Sequence, residues 1–162
     1  MRIIPYLLIT LFCFHLVIFC NSQSISNNLI LAAEIEKQNK KPNSDPLLIK
    51  VALTNNSSDT FSYASMSCSW QDFYFTNVAG LTIAVEVCNS NHPVLIKIAP
   101  HKSEVRTLCL LPQNYKELYN MKFKIGVKLL LTQTYKEIHH LKNHIIIWSN
   151  ELDFNELNKL IY

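Results

Sequence analysis

Alternation of apolar and polar side chains dominates this chain. In residues 47–54, Ile49, Val51 and Leu53 take one side, and Lys50, Ala52 and Thr54 take the other. A period of two predicts a strand with one buried and one wet face. Residues 122–132 repeat the pattern: Phe123, Ile125, Val127, Leu129 and Leu131 oppose Lys122, Lys124, Gly126 and Lys128. Near the start, Leu29, Leu31, Ala33 and Ile35 oppose Ile30, Ala32, Glu34 and Glu36. Alanine, glutamate and leucine also favour helix, but the strict alternation predicts a strand over 28–38.

Further β-favouring runs predict strands over 60–66, 70–76, 82–87, 94–99, 104–111 and 144–149. In 104–111 the inward face is ambiguous, because Val105, Cys109 and Leu111 compete with Leu108 and Leu110. The runs are separated by turn-forming clusters: Asn39–Pro46, Asn55–Asp59, Asn77–Gly80, Asn89–Pro93 and Pro100–Lys102. One helical turn is expected within 112–120. The tail from Glu151 to Tyr162 spaces Phe154, Leu157 and Ile161 for one face of a short helix.

About eight short strands with turn signals every 8–12 residues predict an all-β sandwich or barrel. One wet face per strand favours antiparallel sheets. No strand–helix–strand rhythm supports an α/β fold.

The N-terminus reads differently. Arg2 is followed by 17 uncharged residues from Ile3 to Phe19, and then by polar Asn21-Ser22-Gln23-Ser24. This is the layout of an export signal, with Cys20 and Ser22 at −3 and −1 of a cut before Gln23. The run also reaches the lower bound for a membrane span. Val17-Ile18-Phe19-Cys20 resembles a bacterial lipobox, which implies a lipidated Cys20. Residues 1–22 are therefore expected to form a signal helix, with retention as an anchor or lipidation as the alternatives. Residues 23–162 are expected to form one domain.

Composition narrows the chemistry. The chain has 162 residues, 49% hydrophobic and 17% charged, with a formal charge of +3. That charge argues for neither nucleic acid nor an anionic membrane as partner, which leaves the N-terminal segment as the expected membrane contact. Only Gly80 and Gly126 are glycines, which excludes a glycine-rich phosphate loop. No serine sits in a nucleophile elbow and no carboxylate pair stands out, so no catalytic residue and no cofactor are expected.

Past the leader three cysteines remain: Cys68, Cys88 and Cys109. In an oxidising compartment a Cys68–Cys88 bridge is expected, with a pairing through Cys109 or no bridge as the alternatives. Cys109 lies in an apolar run and reads as a buried thiol. His139, His140 and His144 are the best metal candidates, although no Cys or acidic partner stands at a zinc-like interval. Lys122, Lys124 and Lys128 read as the solvated face of a strand. Trp70, Phe73, Tyr74 and Phe75 read as core aromatics beside the disulfide. Asn55-Asn56-Ser57-Ser58 holds two overlapping glycosylation sequons.

Val51-Ala52-Leu53-Thr54-Asn55-Asn56-Ser57, Phe61, Asp72-Phe73 and Ile98-Ala99-Pro100-His101-Lys102-Ser103 resemble immunoglobulin-like sandwich domains of the intracellular proteinase inhibitor type. They also resemble exported bacterial domains of similar layout. The resemblance spans roughly 47–131, and this chain has His101 where that family usually has glycine. It implies an immunoglobulin-like antiparallel sandwich of about 7–9 strands.

The expected function is an exported, non-enzymatic binding or interaction module, secreted or periplasmic. It would engage a protein or glycan through loops such as Asn55–Thr60 and Asn89–Pro93, or through a strand edge. A protease inhibitor acting through a loop is the first alternative, and a metal-dependent enzyme built on His139–His144 the second.

Overall fold

The computed structural model describes residues 28–36, 46–114, 121–134 and 144–155. The leader, His139, His140 and the helical turns expected in 112–120 and at the C-terminus lie wholly or largely outside the described residues.

The order of elements is β1 (Leu29–Ile35), β2 (Leu47–Asn55), β3 (Phe61–Met66), a 3-10 turn (Trp70–Phe73), β4 (Tyr74–Thr76), β5 (Leu81–Ile83), β6 (Pro93–Ile98), β7 (Ser103–Pro112), β8 (Lys122–Phe123), β9 (Ile125–Leu131), β10 (His144–Trp148) and β11 (Leu152–Asp153). One sheet runs β1-β2-β7-β5 and the other β10-β9-β3-β6, with β4 also on β9; β11 and β8 form a small ribbon. Every described pairing is antiparallel.

The inward rows of both sheets meet in one core. Leu29, Leu31, Ile49, Val51, Leu53, Leu108 and Leu110 come from the first sheet, and Tyr63, Ile98, Ile125, Val127, Leu129 and Ile147 from the second. Ile49, Leu108, Leu110, Ile125 and Leu129 are fully enclosed, each side chain stabilising the fold by about 2 kcal/mol. The run Leu29–Ile35 is a strand because its alternation matches β2 across the register Leu31↔Leu53 and Ala33↔Val51.

Three expected strands differ. The run 70–76 begins as a 3-10 turn and becomes a strand only at Tyr74. Here β3 leaves β9 after pairing Ala64 with Leu130, the chain loops out, and β4 rejoins β9 at Val127. The strand expected over 82–87 ends at Ile83, since among the described residues Ala84–Cys88 have no ladder partner beyond one bond from Ala84 N–H to the Cys109 carbonyl at 2.8 Å. The run 122–132 breaks at Lys124, whose backbone turns to Asn77: its N–H donates to Asn77 Oδ1 at 2.7 Å, and its carbonyl accepts from Asn77 N–H at 3.3 Å.

Candidate functional site

Alternation along β2 does not stop at Leu53. It carries Asn55 into the same inward row, where the side chain is 1% exposed. A buried amide must be hydrogen-bonded, and this one is. Its Nδ2 donates to the carbonyls of Asp59 at 2.8 Å, Ile98 at 3.0 Å and Ala99 at 3.3 Å. Its Oδ1 accepts from the Ser57 N–H at 3.0 Å and the Ser57 hydroxyl at 2.7 Å. Its backbone N–H donates to Lys102 at 2.9 Å, and its carbonyl accepts from His101 N–H at 2.8 Å. One residue thereby fixes both the β2–β3 turn and the β6–β7 turn. The segments that carry the resemblance, 51–57 and 98–103, meet here.

Beside this hub lies a cleft of about 460 Å³. Leu29, Phe61 and Leu131 give it an apolar lining, and Ser57, Asp59 and Gln133 are polar groups around it. An apolar hollow with a few convergent polar groups is the usual form of a binding site.

The Asn89–Pro93 loop sits at the other end of β3, as the register Phe61↔Ile98 to Met66↔Pro93 requires. The two expected contact loops are therefore not brought together. Cys68 and Cys88 form a disulfide, with their Cα atoms 6.4 Å apart. Hydrogen bonds surround it: Ser67 N–H to the His92 carbonyl at 2.9 Å, Cys68 N–H to Asn91 Oδ1 at 3.2 Å, and Asn91 Nδ2 to Ser69 Oγ at 2.6 Å. With a sequence separation of 20, the bridge contributes about 3 kcal/mol in the chain-entropy model. This end is fastened rather than open.

A third polar group lies between the sheets. Glu104 and Arg106 continue the inward row of Leu108 and Leu110, and their side chains are 19% and 24% exposed. Arg106 Nε donates to Glu104 Oε1 at 2.8 Å, and the Tyr63 hydroxyl donates to Glu104 Oε2. The guanidinium lies 4.6 Å from the centre of the Trp70 ring, a cation–π contact. Trp70 meets Tyr74 edge-on at 5.8 Å. Burial, and then the Glu104 carboxylate, push both tyrosine hydroxyls above their ordinary range, Tyr74 to about 12. Trp70 and Tyr74 thus pack on the core as expected, whereas Phe75 crosses to the outer face and meets Trp148 at 5.0 Å.

Cys109 takes the outward side of β7 and is only partly covered, and burial raises its thiol pKa. Lys122 and Lys128 are exposed, and Lys122 pairs with Glu151 at 3.0 Å, in keeping with a solvated face. His144 opens β10 and is exposed. Among the described residues no group of three His, Cys, Asp or Glu side chains is placed to hold a metal. Asn56 is exposed while Asn55 is not, so the two sequons are unequal in the fold. Among the described residues no helix is long and apolar enough to cross a membrane. Comparison with protein-family models and with curated proteins finds no match.

Proposed function

We propose that this chain is an exported, non-enzymatic binding module of immunoglobulin-like layout, and that its partner enters the cleft beside Asn55. The observation that carries the reading is the cleft itself, held by a turn that one buried amide locks from five carbonyl and Ser57 contacts. Such a turn presents Asp59 and Phe61 in a fixed geometry, which lowers the ordering cost of binding.

The immunoglobulin-like layout is supported by the strand orders. The order β1-β2-β7-β5 parallels A-B-E-D of that fold, and β10-β9-β3-β6 parallels G-F-C-C′. The chain departs from it in order, because β5 precedes β6. Export is supported by the leader pattern and by the disulfide, which persists in oxidising compartments.

The test captures binders from the exported fraction of the source organism with immobilised wild-type chain, and with Asp59→Lys and Phe61→Ser variants. A saturable partner lost from both variants at unchanged fold supports the reading. Binding indifferent to both substitutions, or none at micromolar protein, overturns it. Inhibition in a protease panel at the same concentration replaces it with the inhibitor reading.

A further inference from the structure

The first sheet has two edges, β1 and β5, and among the described residues they are closed to different extents. On β1, the N–H and carbonyl of Ala33 point away from β2, and the Asn150 side chain takes both, at 2.8 and 3.1 Å. A side-chain amide there does what another strand would do, and it blunts the edge.

On β5 the outward carbonyl of Leu81 is closed in the same way, accepting from Thr76 Oγ1 at 2.8 Å, but among the described residues nothing comparable reaches Ile83. Ala84 N–H donates to Cys109, and Gly80 accepts from Gln113 N–H at 2.8 Å. Even-numbered residues therefore face β7, and the N–H and carbonyl of Ile83 face away from it. Beyond Ile83 the chain continues through Ala84–Cys88 without a ladder partner, with Val85 41% and Val87 100% exposed. An unpaired β-branched edge is a ready template for another strand.

Facing this edge is a groove of about 410 Å³. Ile83 and Val85 line one side, and Gln71, Tyr74 and Thr76 the other. Tyr74 and Thr76 direct their backbone groups away from β9, since Phe75 and Asn77 hold the bonds toward it. Gln71 is 5% exposed, and its Oε1 is the one buried side-chain oxygen or nitrogen among the described residues with no hydrogen-bond partner. Asp72 lines the same groove and Glu86 follows Val85, and both are exposed.

We propose that this groove accepts an extended, basic, apolar-rich peptide segment of a partner, which adds as a strand to the open edge at Ile83 and Val85. Main-chain bonds give the affinity in this mode, and alternate side chains give the selectivity. Apolar residues cover Val85, and a lysine or arginine meets Asp72 and Glu86. The groove lies at the β7 C-terminal end of the sheet, far from the Asn55 cleft, and does not depend on the cleft reading.

The probe is the capped hexapeptide acetyl-Lys-Val-Thr-Val-Thr-Lys-amide, titrated into the oxidised full chain by calorimetry. Its control carries N-methyl groups on alternate amides and loses the ladder donors. Binding below about 1 mM, lost on N-methylation and at least about tenfold weaker in Val85→Pro, is the expected result. Val85→Pro removes an N–H that no described hydrogen bond uses, so its Tm stays at the wild-type value. Asp59→Lys in the cleft leaves peptide binding intact. Equal binding of the two peptides, no binding at about 1 mM, or unchanged affinity in Val85→Pro overturns the proposal. So does a concentration-dependent dimer that Val85→Pro abolishes, which would make a second copy the occupant.

Discussion

His101 holds φ at 55°, the only left-handed residue other than glycine among the described residues. The cause is local: its N–H must reach the Asn55 carbonyl at 2.8 Å to close the β6–β7 turn. The left-handed region penalises a side chain with a Cβ by about 1 kcal/mol, which explains why glycine suits this position. His101→Gly is therefore expected to raise stability by up to about 1 kcal/mol, read as a higher urea midpoint at unchanged slope. An unchanged or lower midpoint counts against strain there. The turn was legible from Pro100-His101-Lys102, but its handedness was not, because histidine carries no signal for positive φ. Asn55 is the opposite case. It continues the odd-numbered row of Ile49, Val51 and Leu53, so its burial was legible in phase, yet its polar neighbours read as a surface turn. Glu104 and Arg106 were hidden for a related reason. Their inward row competes with apolar Val105 and Leu111 on the outside, and only the contacts from Tyr63 and Trp70 decide between the faces.

At the scale of strands, Gly126 shows what alternation leaves out. The pattern places it on the outer face of β9 beside the lysines, and that placement holds. It does not show that Phe75 and Trp148 close over it from the two flanking strands. A Cβ at Gly126 would lie 2.7 Å from the Phe75 ring and 2.9 Å from the Trp148 ring, closer than carbon atoms approach without displacement. Gly126→Ala is thus expected to cost about 1–2 kcal/mol. Combining it with Phe75→Leu should recover part of that loss, a coupling that a double-mutant cycle in urea reads directly. Strict additivity would mean the rings move aside freely. Pairing partners explain the other element-scale differences as well. Thr82–Val87 has the composition of a strand throughout, but its ladder stops at Ile83↔Leu110 although β7 runs on to Ser103, and the chain leaves β7 on its way to the Cys68–Cys88 bond. Composition reports a residue's preference for strand, whereas the ladder depends on what lies beside it.

Across the whole molecule, the two sheets are joined by apolar packing, by the Asn55 hub and by a polar tie around Glu104. Tyr63 stands on the second sheet, Glu104 and Arg106 on the first, and Trp70 on the excursion between β3 and β4. The tie makes folding depend on phenol ionisation. Tyr74 is held neutral to about pH 12 against an ordinary value of 10.0, and Tyr63 is shifted in the same direction. Between pH 10 and 12 the unfolded chain sheds the Tyr74 proton while the folded chain keeps it. The unfolded state then binds fewer protons, and stability falls as pH rises. The contribution is complete below pH 10 and is lost as pH passes through 12, amounting to about 2–3 kcal/mol for Tyr74 alone. Lys50 and Lys122, raised by Glu34 and Glu151, weaken in the same direction, so the wild-type slope alone does not isolate the tyrosines. Replacing them does. Urea titrations at about pH 8, 10 and 11 are expected to show a shallower alkaline decline in Tyr74→Phe, and a shallower one still in Tyr63→Phe/Tyr74→Phe. Tyrosinate absorbance from these two residues should appear together with unfolding and not before it. Identical slopes in wild type and the double variant, or early tyrosinate signal in the folded chain, would place both hydroxyls in contact with water and remove the polar tie from the account of how the sheets hold together.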